Sequence, residues 1–359
     1  MINPSDDVAQ DPARLLALTL TELLDSPPDP RFDRLTRLAA KLLRTPVALV
    51  SLVDHDRQFF KSRVGLSEPW ATLRETPLSH SFCKLVVSRG QPLVIADARQ
   101  DSLVSGNGAV ADLGVVSYLG MPLTNSDGAT LGAFCVIDGV PRDWNSQEIE
   151  TLHELTAAVL SQISLLTENR RVQRAQARLW VRNEIMGILS RQTTSPLEIG
   201  PLLGIIGTGL GYDVVEYWSA DHETGKLRLH ESSWSANESG AAFVEASCGL
   251  VLSQGLGLPG QVQEQLRPVA LQDASVDPVC VRFELVKRCS LHSAIGFPVQ
   301  DFARLLGVVT LLSRDPNRIE GELPQMLSSL GKQIGQNLGR RWAARRLREQ
   351  NSLLHNLLD

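Results

Sequence analysis

The chain repeats a set of short phrases at an almost constant spacing. Asp97-Ala98 with Asp101 returns as Asp273-Ala274 with Asp277, 176 residues later. Gly120-Met121-Pro122-Leu123 returns as Gly296-Phe297-Pro298-Val299 at the same distance, and Leu131-Gly132 returns as Leu306-Gly307 one residue closer. Landmarks that keep both order and spacing mark a duplicated module. Two copies are too few, and each is too long, for a solenoid, which leaves two globular domains in tandem. With 359 residues and 43% hydrophobic content, each half has material for its own core.

Several classes drop out early. A net charge of −5 gives no global field for a polyanion, and no run of about 18 apolar residues offers a membrane span. Residues 1–12 read as a loose polar tail rather than a signal peptide, so a soluble, cytoplasmic protein is expected. The five cysteines (Cys83, Cys135, Cys248, Cys280, Cys289) are scattered and lack C-x-x-C spacing. That argues for reduced thiols and against a disulfide frame or a structural metal site.

Hydrophobic periodicity gives the elements. Leu16, Leu20 and Leu23, then Leu35, Leu38 and Leu42, predict two helices broken at Pro27-Pro28, the second starting near Asp29. Pro46 to Val53 and Gln58 to Lys61 read as paired strands, and Ser79 to Val87 as a helix capped by Ser79 or Ser81. Leu93 to Ala96 is a short strand. Ser117 to Leu123 and Leu131 to Ile137 form a hairpin turning at Asn125-Ser126-Asp127-Gly128. Asn145-Ser146-Gln147-Glu148 has capping-box spacing and opens a long helix. Its stripe Leu152, Leu155, Val159, Ile163 and Leu166 is a seam that a partner helix could fill. In the second copy, Tyr212 to Trp218, Leu227 to Trp234, Val269 to Leu271, Ala294 to Val299 and Leu306 to Leu312 read as strands. Gly257 to Val262 enters a helix, and a last helix runs from about Leu323 to Leu358. Ile334, Leu338, Trp342, Leu347, Leu354 and Leu358 form its apolar stripe, which invites dimerisation. The stripe is still running at Asp359, so a regulatory piece with an output domain beyond it is expected.

These residues carry a family resemblance. In the first copy the phrases are Leu23-Leu24-Asp25-x-Pro27-Pro28, Phe32-Asp33-Arg34-Leu35, Pro46 to Asp54, Arg57 to Ser62, Ser81-Phe82-Cys83 and Cys135-Val136-Ile137-Asp138-x-x-Pro141-Arg142. They resemble the GAF domain, in the form found at the N-termini of bacterial sensor kinases, diguanylate cyclases and related regulators. The second copy, through Gly255 to Gly260 and His292 to Pro298, looks like a different GAF subclass. The resemblance implies an α+β fold: two GAF domains, each an antiparallel sheet flanked by helices, joined by a long helix and followed by a coiled-coil-like helix. The expected boundaries are 13–166 for the first domain, 167–178 for a helical linker, 179–340 for the second and 341–359 for a signalling helix.

No catalytic constellation emerges: G-x-S-x-G, P-loop and H-E-x-x-H motifs are absent from the sequence, and no enzyme activity is expected. Neither copy carries the Asn-Lys…Phe…Asp-Glu signature that cyclic-nucleotide-binding GAF domains often show. Cys83, in the first turn of a predicted helix, is either a redox or covalent sensor or a small core residue. Cys280 lies where bilin-binding GAF domains carry their thioether cysteine, but Val281 follows it where those domains commonly have His. Heme through a lone axial His (His80, His153 or His292) has no second signal behind it. Phe59, Lys61 and Phe82 in the first copy, and Tyr217, Trp218, Arg282, Phe283 and His292 in the second, are the remaining candidates to line a pocket, against the plainer reading that the rings fill cores. Arg340, Arg341, Arg345, Arg346 and Arg348 read as a solvated flank rather than a nucleic-acid or membrane site.

The expected function is therefore sensing of a small molecule or redox signal, the ligand and any cofactor being unknown. Relay would run through dimeric helices to a kinase, cyclase or phosphatase output, as in two-component signalling. The rivals are a GAF-type free methionine sulfoxide reductase using Cys280 and Cys289, and a ligand-free dimerisation scaffold.

Overall fold

The computed structural model describes residues 10–191, 198–302, 304–316, 318–319 and 321–358, with side chains to residue 344. Residues 1–9 of the expected tail, and the side chains of Arg345, Arg346, Leu347, Arg348, Leu354 and Leu358, lie outside the described set; Pro12 already opens a helix. Contacts divide the chain into two compact units, Met1–Arg171 and Val172–Asp359.

The first unit begins with α1 (Pro12–Thr21) and α2 (Pro30–Leu43). Each opens on an aspartate (Asp11, Asp29) whose carboxylate accepts from a first-turn N–H, followed by a proline whose missing N–H costs nothing there. Then come β1 (Val47–Val53), β2 (Arg57–Val64), α3 (Trp70–Leu73), β3 (Glu75–Pro77), α4 (Cys83–Arg89), β4 (Leu93–Ile95), α5 (Gly108–Asp112), β5 (Ser117–Thr124) and β6 (Thr130–Asp138). The strands form one antiparallel sheet in the order β3-β2-β1-β6-β5-β4. The predicted helix from Ser79 splits into a 3-10 turn, Leu78–His80, and α4. The Ser81 hydroxyl accepts from Lys84 N–H at 3.0 Å in the first turn of α4.

The sheet is covered on both faces. On one, Leu18, Phe32, Ala39, Leu119 and Phe134 pack with Leu152, Val159 and Ile163 of α6 (Ser146–Ser190). The stripe expected to receive a partner helix is thus filled by the unit's own core. The capping box forms as read: Glu148 N–H donates to Asn145 Oδ1 and Asn145 N–H to Glu148 Oε2, both at 3.0 Å. On the other face, α4, α5 and the connecting loops cover Leu49, Phe60, Tyr118 and Cys135.

The second unit takes Val181, Ile185 and Leu189 from the end of α6, then adds α7 (Ile199–Leu210), β7 (Val214–Ala220), β8 (Leu227–Leu229), β9 (Trp234–Ser235), α8 (Glu238–Ser247) and β10 (Val251–Leu252). It continues with α9 (Gly257–Gln265), β11 (Val269–Leu271), α10 (Phe283–Arg288), β12 (Ser293–Asp301), β13 (Arg304–Ser313) and α11 (Leu323–Leu358). The strand expected from Leu227 to Trp234 breaks after Leu229. His230 turns the chain there, its ring nitrogen accepting from Ser232 N–H and its carbonyl from the Ser233 hydroxyl. The sheet runs β10-β8-β7-β13-β12-β11, with β9 pairing β7. Ile334 and Leu338 of α11 are buried in this unit's core, whereas Trp342 is exposed. Along that contact Gly331 and Gly335 meet β12 so closely that a methyl on either would lie 2.1 and 2.0 Å from the Pro298 and Gln300 carbonyl oxygens.

The repeated phrases have the same physical jobs in both sheets. Leu93 pairs with Gly120, and Val269 with Gly296. Asp97 and Asp273 each accept from the N–H two residues on, while Ala98 and Ala274 N–H donate to the Val116 and His292 carbonyls, both at 2.6 Å. At Leu-Gly, a side chain would strike the neighbouring strand: a methyl on Gly132 would lie 1.9 Å from the Ser51 carbonyl oxygen, and one on Gly307 2.5 Å from that of Trp218.

Candidate functional site

The covered face of the first sheet borders a cavity of about 40 Å³. At roughly 10–15 Å³ per water, it has room for a few waters and none, as it stands, for a tetrapyrrole or nucleotide. Its wall is mostly apolar, with Leu49, Phe60, Phe82, Leu113 and Val115 prominent. Polar atoms are few and specific. Thr76 Oγ1 is buried there without a hydrogen-bond partner, and His80, bonded to Asp112 at 2.8 Å, also lines it. Gln58 is tied on one side to Ser51 Oγ at 3.3 Å and on the other accepts from the Ser81 hydroxyl.

Two thiols meet in this wall. Cys83, the first residue of α4, and Cys135, in the middle of β6, have sulfurs 3.8 Å apart, and Tyr118 Oη lies 3.3 Å from the Cys83 sulfur. The Tyr118 ring packs against Phe82 with centroids 5.3 Å apart. Both thiols are buried. The hydrogen bond from Cys135, aided by those from Tyr118 and Ser51, holds the Cys83 thiol below its ordinary range. The same bond, with burial, pushes the Cys135 thiol well up. Burial and the neighbouring sulfurs raise the Tyr118 phenol, so it stays protonated.

The equivalent face of the second sheet is occupied by an ion pair. Arg282 donates from Nη1 to Glu216 Oε1 at 2.7 Å, from Nη2 to Oε2 at 2.8 Å, and from Nη1 to Ser247 Oγ at 2.8 Å. The guanidinium lies 5.2 Å from the Trp218 ring and 4.6 Å from the Phe243 ring. Thr310 Oγ1 and Trp218 Nε1 donate to Glu216 Oε2, closing the network. Glu216 is fully buried, and every oxygen of its carboxylate is bonded.

The structure sorts the sequence candidates by sheet face. Phe82 and Cys83 line the first cavity. Phe59 and Lys61 point to the opposite face, where the Arg74 guanidinium covers Phe59 and Lys61 donates to Ser26 Oγ at 2.6 Å and the Pro27 carbonyl at 2.8 Å. In the second unit Trp218 and Arg282 come together, while Tyr217 turns to the helix face and donates to the Leu306 carbonyl. Cys280 is half-buried beside Arg282, its thiol pushed up by burial. Phe283 is exposed under Lys287, and His292 reaches Asp273 at 3.6 Å. Sequence reasoning passed over Glu216, Tyr118 and Thr76. Glu216 had a signal, since a lone carboxylate within the apolar strand Val214-Val215-Glu216-Tyr217-Trp218 requires a buried cation.

Residues 27–163 match the GAF domain family, so the chain carries a GAF domain there. Over 146 residues it is 32% identical to a cyclic di-GMP phosphodiesterase of Pseudomonas aeruginosa; the match takes in 40% of this chain and only 24% of that protein's length. Among solved structures, a bacteriophytochrome from the photosynthetic bacterium R. palustris matches 83% of this chain and 61% of its own, with 11% identity and a TM-score of 0.50, a likeness of fold. A free methionine-R-sulfoxide reductase from Neisseria meningitidis, solved with its substrate, covers 48% of this chain and 93% of its own, with 17% identity and a TM-score of 0.38. Among the described residues, no helix is long and apolar enough to cross a membrane.

Proposed function

We propose that the GAF domain at residues 27–163 is the receiving part of a cytoplasmic sensory protein, and that it takes a small molecule or redox signal in the cavity walled by Phe82, Cys83 and Tyr118. The observation that carries this reading is the cavity itself: a mostly apolar space lined by a buried Thr76 hydroxyl with no protein partner is suited to a guest. The second unit is a GAF domain in sheet order and register that serves as a scaffold, its corresponding space closed by Arg282, Glu216 and Trp218. The signal leaves through α6, whose first half packs in one unit and whose last turns pack in the other. The protein works as a homodimer through its helices, acts on an output domain or effector of the kinase, cyclase or phosphatase type, and catalyses no reaction itself.

Native mass spectrometry of the freshly purified chain tests this. A dimer carrying extra mass that is lost in Thr76→Val is the expected result. A monomer at bare polypeptide mass, unchanged by a small-molecule library, overturns it.

A further inference from the structure

Resting on that reading, we infer that Cys83 and Cys135 form a reversible dithiol–disulfide switch operated by a small hydroperoxide that enters the cavity of the GAF domain. Three observations converge on one spot. The sulfurs are already 3.8 Å apart on two different elements, α4 and β6, so closing to a bond of about 2.05 Å needs side-chain rotation and a small approach. Both line the wall of one and the same cavity, so a small guest held there meets both sulfurs. And the space, about 40 Å³, admits a molecule of peroxide size while excluding bulky oxidants.

The two thiols are not equivalent. Cys83 takes hydrogen bonds from Cys135 and sits beside the Tyr118 hydroxyl, which favours its thiolate, whereas Cys135 is the group held protonated. Cys83 is accordingly the attacking sulfur and Cys135 the resolving one. The Cys83 thiolate attacks one peroxide oxygen and the O–O bond breaks. The other oxygen leaves as alkoxide and takes the proton that Cys83 gave up, leaving a sulfenic acid on Cys83. The Cys135 sulfur then attacks the Cys83 sulfur, the S–O bond breaks, and the hydroxide leaves as water with the Cys135 proton. Two thiols and one hydroperoxide become one disulfide, one alcohol and one water; with hydrogen peroxide both oxygen products are water. Both sulfurs are oxidised by one electron each and the peroxide is reduced by two. A cellular dithiol reverses the bond by exchange.

The bond would staple α4 to the strand that leads into α6. After β6, Arg142 holds Asp138 at 3.4 Å, bonds Glu148 of the capping box, and lies 4.6 Å from the Trp144 ring, so a shift of β6 meets the first turn of α6 directly.

The test uses the reduced 359-residue chain and hydrogen peroxide as probe. After equimolar peroxide, alkylation, digestion and peptide mass mapping, most of the protein is expected to carry a Cys83–Cys135 crosslink that dithiothreitol removes. The exposed Cys248 serves as an internal reference and should be oxidised more slowly. Cys135→Ser should stop at a Cys83 sulfenic acid trapped by dimedone, and Cys83→Ser should yield neither product. The inference is overturned if Cys83 and Cys135 remain alkylatable after denaturation while Cys248 is oxidised, or if the crosslink forms only in unfolded protein. Unreactive thiols in a chain that still carries a bound mass would remove this switch and leave the sensing proposal standing.

Discussion

The two sheets share strand order and register but fill their covered faces in opposite ways. Leu49 pairs with Cys135 in the first, and at the matching rung Glu216 pairs with Thr310 in the second. Two residues on, Ser51 opposite Ala133 becomes Trp218 opposite Val308. Tyr118 in the third position becomes Ala294. The first sheet therefore keeps its centre small and lets a phenol and two thiols face a void. The second fills its centre with an indole and seals it with a carboxylate–guanidinium pair. The cations near each core are also held differently, Lys61 by neutral oxygens and Arg282 by a carboxylate. One scaffold thus gives an emptiable site and a closed one, and the difference lies in a handful of inward positions.

Breaking the closed site should cost most. Arg282→Met leaves Glu216 buried without its countercharge and should destabilise the second unit by about 3–5 kcal/mol, while Glu216→Leu combined with Arg282→Met should recover most of that loss. Hydrogen exchange of the β7 and β13 amides reads this without involving the first unit; equal loss in single and double variants would show that packing, not charge, dominates.

The glycine landmarks sharpen the comparison at the next level. Gly132→Ala places a methyl 1.9 Å from a strand carbonyl and Gly307→Ala places one at 2.5 Å, so both should lose about 1–3 kcal/mol, the first more than the second. Chemical denaturation of the two variants decides the order. In the open site, Tyr118→Phe removes only the hydroxyl beside Cys83 and should cost about 0.5–1.5 kcal/mol. It should also slow alkylation of Cys83 by raising its thiol; unchanged labelling would mean that the phenol does not tune the sulfur.

The remaining effect is a slope with pH rather than a single loss. Burial pulls the Lys61 ammonium from 10.5 down to about 8. Between those values the unfolded chain holds a proton that the folded chain has released, so the first unit should gain stability as pH rises from about 8 towards 10.5. Lys61→Met should flatten that rise in urea denaturation curves.

What the sequence made legible was whatever has a local cause: the two proline-led helix starts, the Asn125 turn, the Asn145–Glu148 box and the duplicated phrases. Sheet faces were not legible, because β1 and β2 are buried on both sides and the alternation that would separate Phe59 from Phe60 is absent. Helix α7 is hard to read from the sequence although Ile199, Leu202, Leu203, Ile206 and Leu210 keep helical spacing, because its four glycines, Gly200, Gly204, Gly207 and Gly209, mask it. Arg282 stands out in the sequence as a pocket candidate, but its partner Glu216 lies 66 residues away, a distance over which neither spacing nor periodicity speaks.

The glycines of α11 set a mechanical rule for the second unit. Gly331 and Gly335 act as a keyway into which the Pro298 and Gln300 carbonyls fit. A helix turns about 100° per residue, so rotating α11 by one position would drive Lys332 and Gln336 into that slot. The helix is barred from spinning on the strand beneath it. Whatever moves β12 must carry this part of α11 with it as one rigid lever.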